Sequence, residues 1–385
     1  MTGSAAVEQI RKNDSEGSIA MFSKEDYGPY DRPPLTKGLW NGKKIKDIVR
    51  PVDQYHVDLF LDTSIVKISP QENWIQDQND EKYSYQRLLI ATGGHPISIP
   101  DTPESVIVYR TRADYQSLRK RIEQEKKICI VGGGFVGSEL AAALNKVGKQ
   151  VTMIFPEIGI SGLTFPNDLA KFLNDYYREK GIKVLSGHLV QGIRKIGDKF
   201  QVEYKGTEDG ALAEAEFDDV VVGIGIKPNV SLAKDAGLQV DDGIVVNEYL
   251  QTKYPDIFAA GDVANFINLS LNKRVRVEHE NNALKMGKTA GQNMSGLMEK
   301  YDYFPFFYSD LFDLGYEAIG EVNKNLEIYS HWIEPYKKGV IFYLNQGKIR
   351  GLVFWNLWGK VDEGRKVISE GKVYQKSELD DLFMN

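Results

Sequence analysis

The glycines at 132, 134 and 137 in "GGGFVG" stand at G-x-G-x-x-G spacing, directly after an apolar run and at the start of a helical pattern. That spacing suits one piece of chemistry, the holding of a dinucleotide pyrophosphate. Gly132 allows a tight turn and Gly134 lets phosphates reach the backbone. Gly137 lets the helix pack close to the strand, and Phe135 and Val136 open the helix whose N-terminus faces the anion. Glu157, twenty positions beyond Gly137, ends the next strand. A carboxylate there suits a ribose 2′-hydroxyl and repels a 2′-phosphate, which favours NADH over NADPH.

Two further stretches point to a second nucleotide. In "LLIATGG" (88–94) an apolar run delivers Ala91, Thr92 and Gly93, small residues that let the backbone touch a bulky ligand. In "TKYPDIFAAGDVANF" (252–266) a strand delivers Gly261 and Asp262 at its C-terminal end, where ligands of open α/β sheets bind. The only cysteine, Cys129 in "KICIVGGG", lies inside an apolar run. A disulfide framework, a CxxC redox pair and a Cys-rich metal site are therefore excluded within one chain, and redox chemistry falls to a bound cofactor. No metal site is expected.

These residues need elements to carry them. Residues 128–131, the glycines, a helix with Phe135, Leu140 and Leu144 at helical spacing, a stop at Gly148 and a strand over 151–155 make a βαβ unit. Such units build an α/β architecture around a parallel sheet. Trp74 to Gln76 and Lys82 to Tyr85, joined around "QNDE", predict a hairpin. Beyond residue 303 aromatic-rich strands and a helix near 360–370 predict a separate α+β domain. A chain of 385 residues allows two or three domains, and its net charge of −6 gives no footprint for nucleic acid. No window of 18 apolar residues appears, and the N-terminus lacks the pattern of a signal peptide. The expected location is cytoplasmic, with a mitochondrial precursor lacking its N-terminus as the alternative.

In their order, the ATG stretch, the NAD glycines and the T-x-x-x-x-I-F-A-x-G-D stretch resemble the two-dinucleotide-binding-domain flavoproteins, the glutathione-reductase-like class. "PYDRPPLTKGLW", "GGGFVGSELAAAL", "RVEHENNALKMGKTAGQNMSG", "YSDLFDLGYEAIG" and "KGVIFYLNQGKIRGLVFWN" narrow the resemblance to the apoptosis-inducing-factor group. It implies two Rossmann-like domains plus a C-terminal α+β domain. The expected FAD domain covers 1–104 and 227–303, the NAD domain 105–226, and the C-terminal domain 304–385. It also implies FAD and NADH as cofactors. Hydride would pass from NADH to flavin N5, and electrons on to oxygen, a quinone or a one-electron carrier. Ferredoxin-type NADH reductase, and an NADH-responsive binding protein with slow turnover, are the alternatives, and a homodimer is one assembly option.

The resemblance also carries residue roles. Lys37 and Glu139 would pair beside the flavin, with Glu139 in the first turn of its helix, where the helix dipole favours a carboxylate. Arg32 and Arg110, the latter with Arg112 as rival, would lie around FAD. Asp262 would meet the ribityl or pyrophosphate part, and Phe135 would shield the flavin face. Gly225 and Glu278 would lie near the nicotinamide, His279 beside the flavin and Glu317 near NAD. Tyr308 stands where the animal protein has tryptophan. The carboxylate expected on the adenosine ribose of FAD falls on Lys24, with Glu25 as substitute. The class begins its FAD domain with a strand and G-x-G-x-x-G. This sequence opens instead on "MTGSAAVEQIRKND", an amphipathic helix over 5–12, with Gly3 in the place of the third glycine. The expectation is an FAD domain lacking its first strand and glycine loop, and weak FAD binding.

Overall fold

Isoleucine, cysteine and valine at 128 to 131 leave no polar side chain to face solvent, and the chain places this strand, Lys127–Val131, at the centre of a parallel sheet. Parallel sheets covered on both faces demand such unbroken apolar runs. The computed structural model describes residues 1–124 and 127–383, in two compact units: Met1–Arg32, Lys44–His95 and Lys227–Phe306 form the first, and Pro33–Lys43, Pro96–Ile226 and Phe307–Asn385 the second.

The second unit holds the NAD-type sheet, five strands in the order Lys183–Ser186, Gln150–Phe155, Lys127–Val131, Asp219–Val222, Ile107–Val108, all paired in parallel. The helix Phe135–Lys146 follows the central strand and buries Gly137 to Leu144. Gly148, at φ +82°, turns the chain out of it. A three-stranded antiparallel sheet of His188–Ile196, Lys199–Gly206 and Leu212–Phe217 packs against the parallel one through Val190, Ile193, Phe200 and Val202. The aromatic C-terminal strands form a five-stranded sheet in the order Phe306–Leu311, Leu314–Gly320, Lys348–Trp355, Lys338–Asn345, Glu327–Glu334. The helix Val361–Glu370 packs on it. The loop at 33–43, placed with the FAD domain in the sequence reading, groups with this unit.

The first unit begins with the helix Thr2–Asn13, which lies against the helix Glu280–Met294. Glycine makes this approach possible: a Cβ on Gly287 would stand 2.3 Å from the Thr2 carbonyl oxygen, and one on Gly291 2.4 Å from that of Ala6. Two parallel pairs follow, Ile19–Phe22 with Val57–Phe60 and Leu88–Ile90 with Ile257–Ala259, each a separate two-stranded sheet among the described residues. The hairpin forms as the sequence predicts, Trp74 opposite Ser84, with buried Asp77 accepting from the backbone amides of Asn79 and Glu81. The core of this unit gathers Ile68, Ile75, Ile90, Phe266, Met286 and Tyr301. No helix among the described residues is long and apolar enough to cross a membrane.

Candidate functional site

In the second unit the three motif glycines divide their work. Gly132 sits at φ +123°, and a Cβ there would meet the Gly223 carbonyl oxygen at 2.3 Å; on Gly137 it would meet that of Gly132 at 2.1 Å. These two glycines exist for close packing. Gly134 differs, because nothing stands within 4 Å of where its side chain would begin. It caps the helix Phe135–Lys146, which has no side-chain N-cap bond and no acidic residue in its first turn. Backbone donors and a positive helix end thus face open space, the surroundings a pyrophosphate needs. Val136 is exposed on the first turn, and the Phe135 ring lies 5.3 Å from that of Phe307. Glu157 is half-buried two residues beyond its strand, and Gly225, exposed at φ +106°, follows Asp219–Val222. The residues present fit NAD(H).

Lys37 and Glu139 meet in the same unit, Nζ to Oε1 at 3.0 Å. Glu139 is the fifth residue of its helix, so the expectation that the helix dipole holds it in the first turn is corrected. Three donors hold it instead: besides Lys37, Ser309 Oγ donates to Oε1 at 2.5 Å and Thr36 Oγ1 to Oε2 at 2.6 Å. Tyr308, 44% exposed, lays its ring 4.4 Å from the Lys37 ammonium, a cation–π contact. Burial and the charge of Glu139 raise the phenols of Tyr177 and Tyr316 well above their ordinary value. The sequence reading missed Thr36 and Ser309, although each is the chain neighbour of a residue it named. Glu317 accepts from the Gly359 amide at 2.8 Å. Arg110 precedes the helix Arg112–Arg121, its backbone amide donating to Asp114 at 2.9 Å.

The first unit carries the other named residues. Ala91 and Thr92 are exposed beyond Leu88–Ile90, and Gly93 follows at φ +61°. Gly261, at φ +78°, leaves no room for a Cβ beside Thr2, and Asp262 follows it in a 3₁₀ turn. Gly3 lies on the first helix, facing the Met21 methyl. Arg32 pairs with Glu25 at 2.6 Å, while Tyr30 donates to the other oxygen of that carboxylate, also at 2.6 Å. Glu278 pairs with Arg276 at 2.5 Å. His279 precedes the helix Glu280–Met294; burial pushes its imidazole down to about 4, against the opposing charge of Asp262. A neutral imidazole, an arginine, an aspartate and small exposed residues after a parallel strand are a set that could hold FAD. No cluster of His, Cys, Asp and Glu able to bind a metal occurs among the described residues.

Comparison with known proteins follows the same lines. Residues 1–287 match the family described as Pyridine nucleotide-disulphide oxidoreductase, and residues 329–370 match Apoptosis-inducing factor, mitochondrion-associated, C-term. The chain is 32% identical over 412 residues to Apoptosis-inducing factor 1, mitochondrial, of Dictyostelium discoideum, covering 94% of this chain and 75% of that one. It is 31% identical over 390 residues to the 5,5'-dehydrodivanillate O-demethylase ferredoxin reductase subunit of Sphingobium sp., covering 98% and 93%. A crystal structure of a ferredoxin reductase from Rhodopseudomonas palustris superposes with a TM-score of 0.89 at 26% identity, covering all of this chain and 96% of that one.

Proposed function

This chain belongs to the pyridine nucleotide-disulphide oxidoreductase family as an apoptosis-inducing-factor-like, NADH-dependent flavoprotein oxidoreductase using FAD and NAD(H), and we propose that the electrons of NADH leave it for an external one-electron carrier. One NADH then reduces two carriers and releases a proton. The observation that carries this reading is Cys129. The only thiol of the chain is fully buried in the central strand, and burial pushes its ionisation far up. A thiol that neither ionises nor reaches a substrate cannot pass electrons on, so the acceptor comes from outside. The names of the Sphingobium relative and the Rhodopseudomonas structure, both ferredoxin reductases, support a carrier of that kind.

FAD, when bound, accepts hydride from NADH and releases electrons singly. The protein's own part is placement and charge. The backbone at Gly134 and the helix behind it receive the pyrophosphate, and Glu157 selects the unphosphorylated ribose. Lys37, held by Glu139, supplies one fixed positive charge beside the reacting ring. His279, neutral at pH 7, adds no charge to the set of residues in the first unit.

The test is NADH oxidation by the FAD-loaded protein with ferricyanide, a [2Fe–2S] ferredoxin, a soluble quinone and oxygen offered separately. The one-electron acceptors are expected to react fastest. Turnover with oxygen or quinone alone would sink the reading. The match of residues 329–370 to the apoptosis-inducing-factor C-terminal family favours a second reading, an NADH-responsive binding protein with slow turnover. Anaerobic NADH would then give a long-wavelength band that decays slowly in air.

A further inference from the structure

Glu139 is only 9% exposed, yet it is met by donors from separate stretches of the chain: Lys37 and Thr36 from the loop at 33–43, and Ser309 from the strand Phe306–Leu311. An ammonium–carboxylate pair removed from water recovers its desolvation only when its remaining lone pairs are also satisfied. Here both carboxylate oxygens receive a hydroxyl at a distance typical of charge-assisted O–H···O bonds. With Oε1 and Oε2 each receiving a hydroxyl, the end of the side chain is held in place, and the Lys37 ammonium meets it at Oε1. The last torsion of a glutamate is otherwise broad, and lysine has four methylenes of freedom.

We propose that Ser309 and Thr36 are positioning residues for Lys37: by fixing the carboxylate of Glu139 they fix where the lysine charge stands, without touching substrate or cofactor. This rests on the reading above that Lys37 acts beside the flavin. Tyr308 strengthens the arrangement from the other side, since its ring confines the same ammonium. Two neighbours on one strand thus act on the two members of one ion pair, the ring on the cation and the hydroxyl on the anion. The Tyr316 phenol, beside Ser309, is raised well above its ordinary value by burial and by the Glu139 charge, and stays protonated. When the hydroxyl of Ser309 is removed, Glu139 loses a donor of the strong class and Lys37 loses its fixed partner. The positive charge then spreads over several positions. Binding of NADH at the glycine loop is a separate matter and stays as it was.

The experiment uses Ser309→Ala, Ser309→Thr, Thr36→Val and, as reference, Glu139→Gln. Three quantities are read: the midpoint potential of the bound flavin, kcat and KM for NADH, and the rate at which an amine-acylating reagent modifies Lys37, mapped by mass spectrometry with and without FAD. For Ser309→Ala the expected result is a more negative potential and a kcat lowered about tenfold, with KM within about twofold. Faster acylation of Lys37 is expected in both forms, and restoration of all three readouts in Ser309→Thr. Thr36→Val should act in the same direction, and it serves should Ser309→Ala not fold. If Glu139→Gln shifts the potential and acylation while Ser309→Ala and Thr36→Val change neither, the positioning role is overturned and the pair keeps its place at the flavin. If acylation rises in the Ser309 and Thr36 variants but Glu139→Gln leaves the potential unchanged, the positioning of Lys37 stands and its role beside the flavin falls.

Discussion

Lys37 and Glu139 form an ion pair at 3.0 Å with only 17% and 9% of their side chains exposed. Removing either partner leaves the other charge in poor solvent, but the two losses are unequal. Glu139→Ala strands an ammonium and two hydroxyls, whereas Lys37→Met leaves the carboxylate with the hydroxyls of Thr36 and Ser309. We expect Glu139→Ala to destabilise the protein by about 3 kcal/mol and Lys37→Met by less. Urea unfolding midpoints check the order.

The glycine loop allows fold and ligand to be separated. Gly137→Ala would press a methyl against the Gly132 carbonyl and should destabilise by about 2 kcal/mol or more. Gly134→Ala meets no protein atom, so its thermal midpoint should stay near wild type while NADH affinity falls. Equal effects of the two on stability would contradict the assignment of Gly134 to the pyrophosphate.

Glu157 should decide between the two nicotinamide cofactors. Glu157→Ala removes the carboxylate that repels a 2′-phosphate, and the preference for NADH over NADPH in kcat/KM should narrow about tenfold. An unchanged ratio would move the discriminating residue elsewhere.

His279 makes stability depend on pH. Its folded value of about 4 lies below the ordinary 6.5 because burial disfavours the charged ring. Between these values the unfolded chain binds a proton that the folded chain does not, so stability is lost as pH falls from 6.5 toward 4. The loss amounts to about 3 kcal/mol for a shift of this size. Urea midpoints across that window should fall more steeply for the wild type than for His279→Asn.

What could be read in the sequence was whatever carries a local rule. The glycines at 132, 134 and 137, the strand leading into them and the hairpin at 74–85 each announce themselves by spacing or turn chemistry, and they stand where those rules put them. Glu139 shows the limit. Its pairing with Lys37 was expected from resemblance, but the first-turn dipole argument did not apply, because the helix begins at Phe135. Thr36 and Ser309 carried no signal of their own. A serine or threonine in a loop or strand is ordinary, and only tertiary contact turns these two into donors to one carboxylate. The glycines at 287 and 291 likewise carry no signal of their own, since nothing in a single helix tells which of its faces another helix will approach.

The strand Phe306–Leu311 buries Ser309 and exposes Tyr308, so the two contacts to the ion pair depend on the parity of a single strand. Side chains alternate across a strand with a period of two. Inserting or deleting one residue between Ser309 and the turn at 312–313 would exchange the faces, sending the hydroxyl to solvent and the ring inward, and both contacts would be lost together. Changes in pairs would preserve them. Length variation between Ser309 and this turn should therefore be tolerated in steps of two, a constraint that tests of inserted residues would expose even where every individual side chain is kept.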